Sequence, residues 1–297
     1  MLKKDEKVLI LITTYRCNLK CRHCLVNKKN EQMNFEVAKK AASLFLEGEK
    51  AGNNLRIRFF GGEPILNFSV IQKTIDFVNQ RQKGVVFDIT TNGHFLTERI
   101  LGKIKNQLNL ELILSSDSSR IITPIRLKKI SLLANISVNF NLWPRGLKKA
   151  PKILEFFIDN GFRKFNFLPA FYIDWSQGQL VDLKDCFNSL VEIVEKSAGV
   201  SVKNLTVNSS LPLFNTALTI DCNGDVYAGN LFLDKRLKFL KNEMKLGKID
   251  ELNSLKSVEL PVQFDFENLL RMFFEKRVLE STDNVNQILT DFCQKIK

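Results

Sequence analysis

Three cysteines within eight residues, Cys17-Asn-Leu-Lys-Cys21-Arg-His-Cys24, are the strongest chemical signal in the chain. Thiolates at such short spacing select zinc or an iron–sulfur centre over hard cations. Cysteine supplies 6 of 297 residues, so three at this spacing arise by chance in roughly 0.002 of comparable chains. A structural zinc site needs a fourth ligand and closes around it. His23, inside the loop, and His94 are the only histidines to offer one. A cubane held by three thiolates leaves one iron open to a ligand instead. Both readings stand on the residues alone.

Three further segments collect polar and glycine residues: Gly61-Gly62-Glu63-Pro64, Thr91-Asn92-Gly93 and Ser115-Ser116-Asp117. Each follows an apolar run of strand length. The runs are Val8–Thr13, Leu55–Phe60, Val85–Thr90, Leu110–Leu114, Ile136–Phe140 and Lys164–Leu168. Between them lie amphipathic stretches at Asn34–Lys50, Phe68–Arg81, Thr97–Gln107, Pro124–Leu133 and Leu147–Asn160. Six strand–helix repeats with short links predict a parallel sheet of βα units. Ligands in such sheets sit at the carboxyl ends of the strands, where the cysteine loop and the three polar segments fall. Asn141 and Arg145 follow the fifth run and are weaker candidates.

Past residue 175 the pattern changes. A helix is expected at Asp182–Ser197. A hairpin is expected to turn at Asn223-Gly224-Asp225, between Ala217–Ile220 and Val226–Tyr227. Phe266, Leu269, Leu270, Phe273 and Phe274 recur at helical spacing and predict an apolar packing face. The expected division is residues 1–175 and 176–297.

Composition narrows the class. With 44% hydrophobic and 26% charged residues the chain reads as globular. No apolar run approaches the ~20 residues of a membrane span, and the apolar run after the basic start is too short for a signal peptide. A cytoplasmic protein is expected. The net charge of +12 raises the question of nucleic acid, but the basic residues are scattered in pairs with no nucleic-acid-binding signature. A solvated lysine-rich surface is expected in its place. Cys186, Cys222 and Cys293 are isolated and expected to be structural thiols.

The segment TYRCNLKCRHC, with its CxxxCxxC spacing after a first strand, resembles the radical S-adenosylmethionine (radical SAM) enzymes. It is most similar to the peptide- and sulfatase-maturing branch that carries a SPASM or twitch extension. The resemblance implies a partial (β/α)6 TIM-like barrel with a small mixed α/β C-terminal extension. It implies that Cys17, Cys21 and Cys24 bind three irons of a [4Fe-4S] cluster, and that the amino and carboxylate groups of SAM chelate the fourth. Gly61, Gly62, Glu63 and Pro64 match the family's GGEP motif, where glycines let backbone approach the ligand and the carboxylate suits an ammonium. By the same likeness the backbone of His23 lies near the adenine, and Thr91, Asn92, Ser116 and Asp117 contact SAM. No residue acting on the substrate is assigned.

The implied activity is reductive cleavage of SAM to a 5′-deoxyadenosyl radical that abstracts hydrogen from a substrate. That substrate is expected to be a peptide or protein, with a flavodoxin- or ferredoxin-type electron donor as a second partner. The alternatives are a small-molecule cofactor precursor and a non-catalytic iron–sulfur or zinc module. In LTIDCNGDVYAGN the extension's first cysteine is Cys222, but the second cysteine position holds Gly229 and the later cysteines are missing. A relic of the extension without an auxiliary cluster is expected.

Overall fold

β-Branched and leucine-rich runs form the strands, and the side chains of Asn34, Thr97 and Ser176 cap three of the helices. In the computed structural model the described residues are 6–47, 49, 54–117, 123–206, 217–255 and 266–296. In chain order the elements open with β1 (Lys7–Thr14), α1 (Phe35–Leu46), β2 (Leu55–Gly61), α2 (Phe68–Arg81), β3 (Val86–Thr91), α3 (Glu98–Lys105) and β4 (Leu110–Asp117). Then come α4 (Pro124–Ser131), β5 (Ile136–Leu142), α5 (Ala150–Asp159), β6 (Lys164–Pro169), α6 (Gln177–Lys196) and β7 (Ser201–Val202). The chain ends with β8 (Leu218–Ile220), β9 (Asp225–Tyr227), α7 (Leu240–Glu243), β10 (Lys245–Lys248), α8 (Phe266–Phe273) and α9 (Lys276–Ile296).

The chain divides into two compact units, residues 2–112 with 214–263 and residues 113–213 with 264–297. In the first unit the strand order is β10-β9-β8-β1-β2-β3. β1 is central and buried on both faces along almost its whole length, which is why it reads as a continuous apolar run. It pairs in parallel with β2, from Lys7 opposite Leu55 to Thr14 opposite Gly61, and with β8 on its other side. β9 and β10 turn back antiparallel. Asn34 caps α1, its side chain accepting from the Val37 amide at 2.9 Å.

Alternate residues of β2 separate two kinds of contact. Leu55, Ile57 and Phe59 are buried, with Phe59 stacked on Phe87 of β3. Arg56 and Arg58, on the opposite face, share an ion network. Arg56 reaches Glu6, Asp88 and Glu111 at 3.0–3.2 Å, and Arg58 binds Asp88 at 2.9 Å. Burial works against the Arg56 charge, but the three carboxylates outweigh it and hold its pKa above the ordinary value.

In the second unit β5, β6 and β7 run parallel. Phe140 and Phe167 pack edge to face at 5.9 Å and close on Phe157 and Phe292. The turn after β6 is held by α9: the amides of Tyr172 and Trp175 donate to Thr282 and Ser281, both at 2.9 Å. Tyr172 adopts φ 55°, an unusual backbone for a non-glycine residue.

Four expectations change. β4 and β5 run on to Asp117 and Leu142, so Ser115, Ser116, Asp117 and Asn141 lie inside the strands and not after them. A polar side chain on one face does not interrupt a ladder made by the backbone. α6 begins at Gln177, five residues early, because Ser176 and Gln179 form a reciprocal capping box. The stretch from Leu147 opens as a short 3₁₀ turn over Pro144–Lys149 before α5 starts. The C-terminal apolar face is incomplete: Leu270 is buried and Phe274 stacks on Tyr172 at 5.1 Å, whereas Phe273 is 43% exposed. The side chains of Phe266 and Leu269 lie outside the described residues. No helix among the described residues is long and apolar enough to cross a membrane.

Candidate functional site

Residues 15–31 leave the end of β1 and return to it, making a loop closed at its base. Thr14 bridges Gln32. The amide of Tyr15 donates to the Glu31 carbonyl at 3.0 Å, and Thr14 Oγ1 donates to the same carbonyl at 2.8 Å. Asn67 completes the closure, its Nδ2 donating to the carbonyls of Thr13 and Met33, both at 2.9 Å. Lys28 Nζ donates to the Leu19 carbonyl across the loop. The far side is clipped to the C-terminal segment: Val26 bridges Asp234, and the Lys235 amide donates to Leu25 at 2.9 Å.

Cys17, Cys21 and Cys24 are all free thiols, each half-buried on this loop. Burial raises the Cys17 pKa, and Lys28 opposes that shift. Among the described residues no three His, Cys, Asp or Glu side chains gather to hold a single metal ion. A cubane takes one thiolate per iron. Three free thiols on one closed loop fit the donor set of a [4Fe-4S] cluster with one iron left open.

The GGEP segment is bonded to the base of the same loop. The Gly62 amide donates to Thr14 and the Glu63 amide to Arg16, both at 2.8 Å. A Cβ on Gly61 would lie 2.1 Å from the Thr14 oxygen, and one on Gly62 would lie 2.3 Å from the Arg16 oxygen. Gly61 also has φ +142°, a backbone that favours glycine. The atoms so close to these two glycines belong to the end of β1 and the base of the cysteine loop.

Glu63 is 1% exposed. One of its oxygens accepts from Thr91 Oγ1 at 2.7 Å and from the Ile65 amide at 3.1 Å, and the other accepts from the Asn92 amide at 2.8 Å. Asn92 Nδ2 donates onward to Asn18 Oδ1, between the first two cysteines, at 2.9 Å. Cysteine loop, Glu63 and the β3 end are thus one hydrogen-bonded assembly. Pro64 is buried at the start of the short 3₁₀ turn that Glu63 caps. His23 is half-buried in the loop. Ser116 and Asp117 lie in the other compact unit, both buried, beside Asn141, whose Nδ2 donates to the Ser116 carbonyl at 2.9 Å. Arg145 is exposed.

Sequence reasoning missed the supports of the loop. Asn18 and Asn67 carry no periodic or motif signal. Asp221 is fully buried and takes the Tyr15 hydroxyl, the Lys241 ammonium at 2.9 Å and the Cys222 amide at 2.6 Å. Burial first, and then Asp221, raises the Tyr15 pKa, so the phenol stays a donor. Tyr15 stands two residues before Cys17, so the β8–β9 hairpin anchors the loop from outside. Gly229, at the position expected for a second cysteine, has φ +134° and is buried.

Cys222 donates its thiol to the Ile12 carbonyl at 3.1 Å and is buried, as is Cys186 on α6, while Cys293 is half-buried. Burial pushes both buried thiols up to about 12. The thiolate is the nucleophile, so at pH 8 only about one part in ten thousand of each is reactive. Iodoacetamide at pH 8 is therefore expected to label Cys17, Cys21, Cys24 and Cys293 of the metal-free protein. Cys186 and Cys222 should react only after denaturation, and labelling of Cys222 as fast as Cys21 would contradict its burial.

Residues 11–132 match the Radical SAM superfamily model. Over 118 residues the chain is 39% identical to the uncharacterized protein MJ0907 of Methanocaldococcus jannaschii, covering 39% of this chain and 40% of that protein. Over 129 residues it is 30% identical to the radical SAM cyclopropyl synthase TigE of Paramaledivibacter caminithermalis, covering 38% of this chain and 27% of TigE. The chain thus spans well under half the length of these relatives. Among solved structures, native anSMEcpe with bound AdoMet and Cp18Cys peptide superposes with a TM-score of 0.73 at 14% identity, over 98% of this chain and 100% of that one. SuiB of Streptococcus suis bound to precursor peptide SuiA gives 0.59 at 14% identity, over 93% and 66%. These likenesses show the fold, the α/β TIM-like barrel of the radical SAM enzymes.

Proposed function

We propose that the protein is a radical SAM enzyme that modifies a peptide or protein. Cys17, Cys21 and Cys24 would hold a [4Fe-4S] cluster, and SAM would bind the open iron through its amino and carboxylate groups. When bound, the cluster supplies the electron that cleaves SAM to methionine and a 5′-deoxyadenosyl radical, which takes a hydrogen atom from the substrate. The chain's own residues supply position. Gly61 and Gly62 lock the base of the cysteine loop, and the Glu63 carboxylate holds Thr91 and Asn92 in place. Asn92 carries that order to Asn18, inside the loop. Gly61, Gly62, Glu63, Pro64, Thr91, Asn92 and the backbone at His23 would border SAM.

The observation that carries this reading is the single hydrogen-bonded assembly of cysteine loop, Glu63 and β3 end. A loop that merely chelates zinc does not need a buried carboxylate organising a second strand end beside it. A peptide substrate is supported by the neighbours crystallised with peptides. The one-electron donor would be a separate flavodoxin- or ferredoxin-type protein, and the free cysteines fit a reducing cytoplasm.

The test is direct. Anaerobically reconstituted, dithionite-reduced protein should release 5′-deoxyadenosine and methionine from SAM, slowly and without added substrate. Release no greater than that of the Cys17→Ala variant would rule the reading out.

A further inference from the structure

Parallel sheets are ordinarily apolar on both faces, and the β5–β6 pair departs from that rule. One face obeys it, with Phe140, Phe165 and Phe167 buried. Strand alternation puts Asn139, Asn141 and Asn166 on the other face, all three half-buried. Asn139 stands opposite Asn166 in the register, and Asn141 opposite Leu168. The charged residue that β6 adds to this face, Lys164, is exposed at the entry of the strand.

The amides are only partly satisfied by one another. Asn166 Nδ2 donates to Asn139 Oδ1 at 3.1 Å. Asn141 Nδ2 donates to Ser115 Oγ at 3.2 Å and to the Ser116 carbonyl at 2.9 Å. Each carboxamide has two donor hydrogens and an acceptor oxygen. Among the described residues Asn139 Nδ2, Asn166 Oδ1 and Asn141 Oδ1 are left without partners. Turning both amides of the Asn139–Asn166 pair over still leaves one donor and one acceptor side by side.

We propose that Asn139, Asn166 and Asn141 form a neutral subsite for an amide group of the substrate, either a peptide bond or a carboxamide side chain. The inference rests on the peptide reading above and names what that peptide presents. A ligand that displaces water from such groups must return a donor and an acceptor, or leave buried polar atoms unpaired. An amide offers both without charge. A carboxylate offers no donor, and the three amides bring no cation to balance it.

The experiment separates this subsite from the enzyme reading. Full-length reconstituted protein with SAM is mixed with N-acetylated, C-amidated octapeptides of random sequence, and retained peptides are read by mass spectrometry. The wild type should retain a defined set. A variant carrying Asn139→Leu and Asn166→Leu should retain it at least tenfold less, with peptide-free 5′-deoxyadenosine release unchanged. The pair Asn139→Ser and Asn166→Ser serves if the leucine variant melts early. Remaking retained peptides with an ester in place of each amide distinguishes the two sources. A tenfold loss at one ester assigns the backbone, and loss only on replacing Asn or Gln assigns the side chain. Equal retention by wild type and variants, or a retained set defined by Asp and Glu, would overturn the subsite. Absence of 5′-deoxyadenosine from the wild type counts against the enzyme reading alone, because retention does not depend on turnover.

Discussion

Alanine at Cys17, Cys21 or Cys24 is expected to bring reconstituted iron from about four per chain to near background and to remove the broad visible absorption of the cluster. The effect is large because the three thiols are the donors that the closed loop presents, and two thiolates do not hold a cubane. Alanine at Cys186, Cys222 or Cys293 should leave iron unchanged. Two of these are buried, and Cys222 spends its thiol on the Ile12 carbonyl. About eight irons per chain, or loss of iron on removing Cys222, would show that the C-terminal segment still binds an auxiliary cluster.

Gly61→Ala should be the most damaging single methyl in the first unit. The added carbon would lie 2.1 Å from the Thr14 oxygen and 3.2 Å from the Thr14 carbon, on a backbone at φ +142°. Neither neighbour is a flexible side chain that can swing away. The left-handed backbone alone costs on the order of 1–3 kcal/mol. With the clash, a loss above about 3 kcal/mol is expected, which corresponds to a melting point lower by on the order of 10 °C for a chain of this size. Iron loading should fall with it, because Thr14 is where the cysteine loop closes. Gly102→Ala is the control: it lies in α3 with nothing within 4 Å of the new carbon, and should stabilise by about 0.5–1 kcal/mol. A Gly61→Ala protein that melts with the wild type would contradict the packing described.

The chemistry of the site was legible because it is written in local spacing. Three soft ligands in eight residues and a glycine-rich strand end need no tertiary knowledge to be noticed. What held them together was not legible. The bond from Asn92 to Asn18 joins residues 74 apart, and the thiol of Cys222 reaches Ile12 across 210. Contacts of that kind leave no period and no motif. The glycines of the GGEP segment were found for their type, but their close packing against Thr14, Tyr15 and Arg16 left no trace in the spacing. The ends of β4 and β5 were placed short because serine and asparagine follow the apolar runs. That asparagine, Asn141, then proved to share a face of the sheet with Asn139 and Asn166. The early start of α6 was available in the Ser176–Gln179 spacing and was overlooked.

Fate of the C-terminal segment follows the same logic. Gly229 sits where a second cluster ligand would be expected, on a backbone that favours glycine. On the same segment Asp221 cross-links Tyr15 and Lys241 in a polar network. The hairpin keeps its place beside β1 and steadies the cysteine loop through hydrogen bonds.

The central claim is that one loop, carrying Cys17, Cys21 and Cys24, builds a cluster whose open iron takes SAM. Electron paramagnetic resonance of the dithionite-reduced, reconstituted protein, recorded with and without SAM, tests it most directly. The account predicts a [4Fe-4S]⁺ signal that changes shape and g-values when SAM is added, and that is absent from the three alanine variants. A cluster signal identical with and without SAM, or one that survives loss of Cys21, would contradict it.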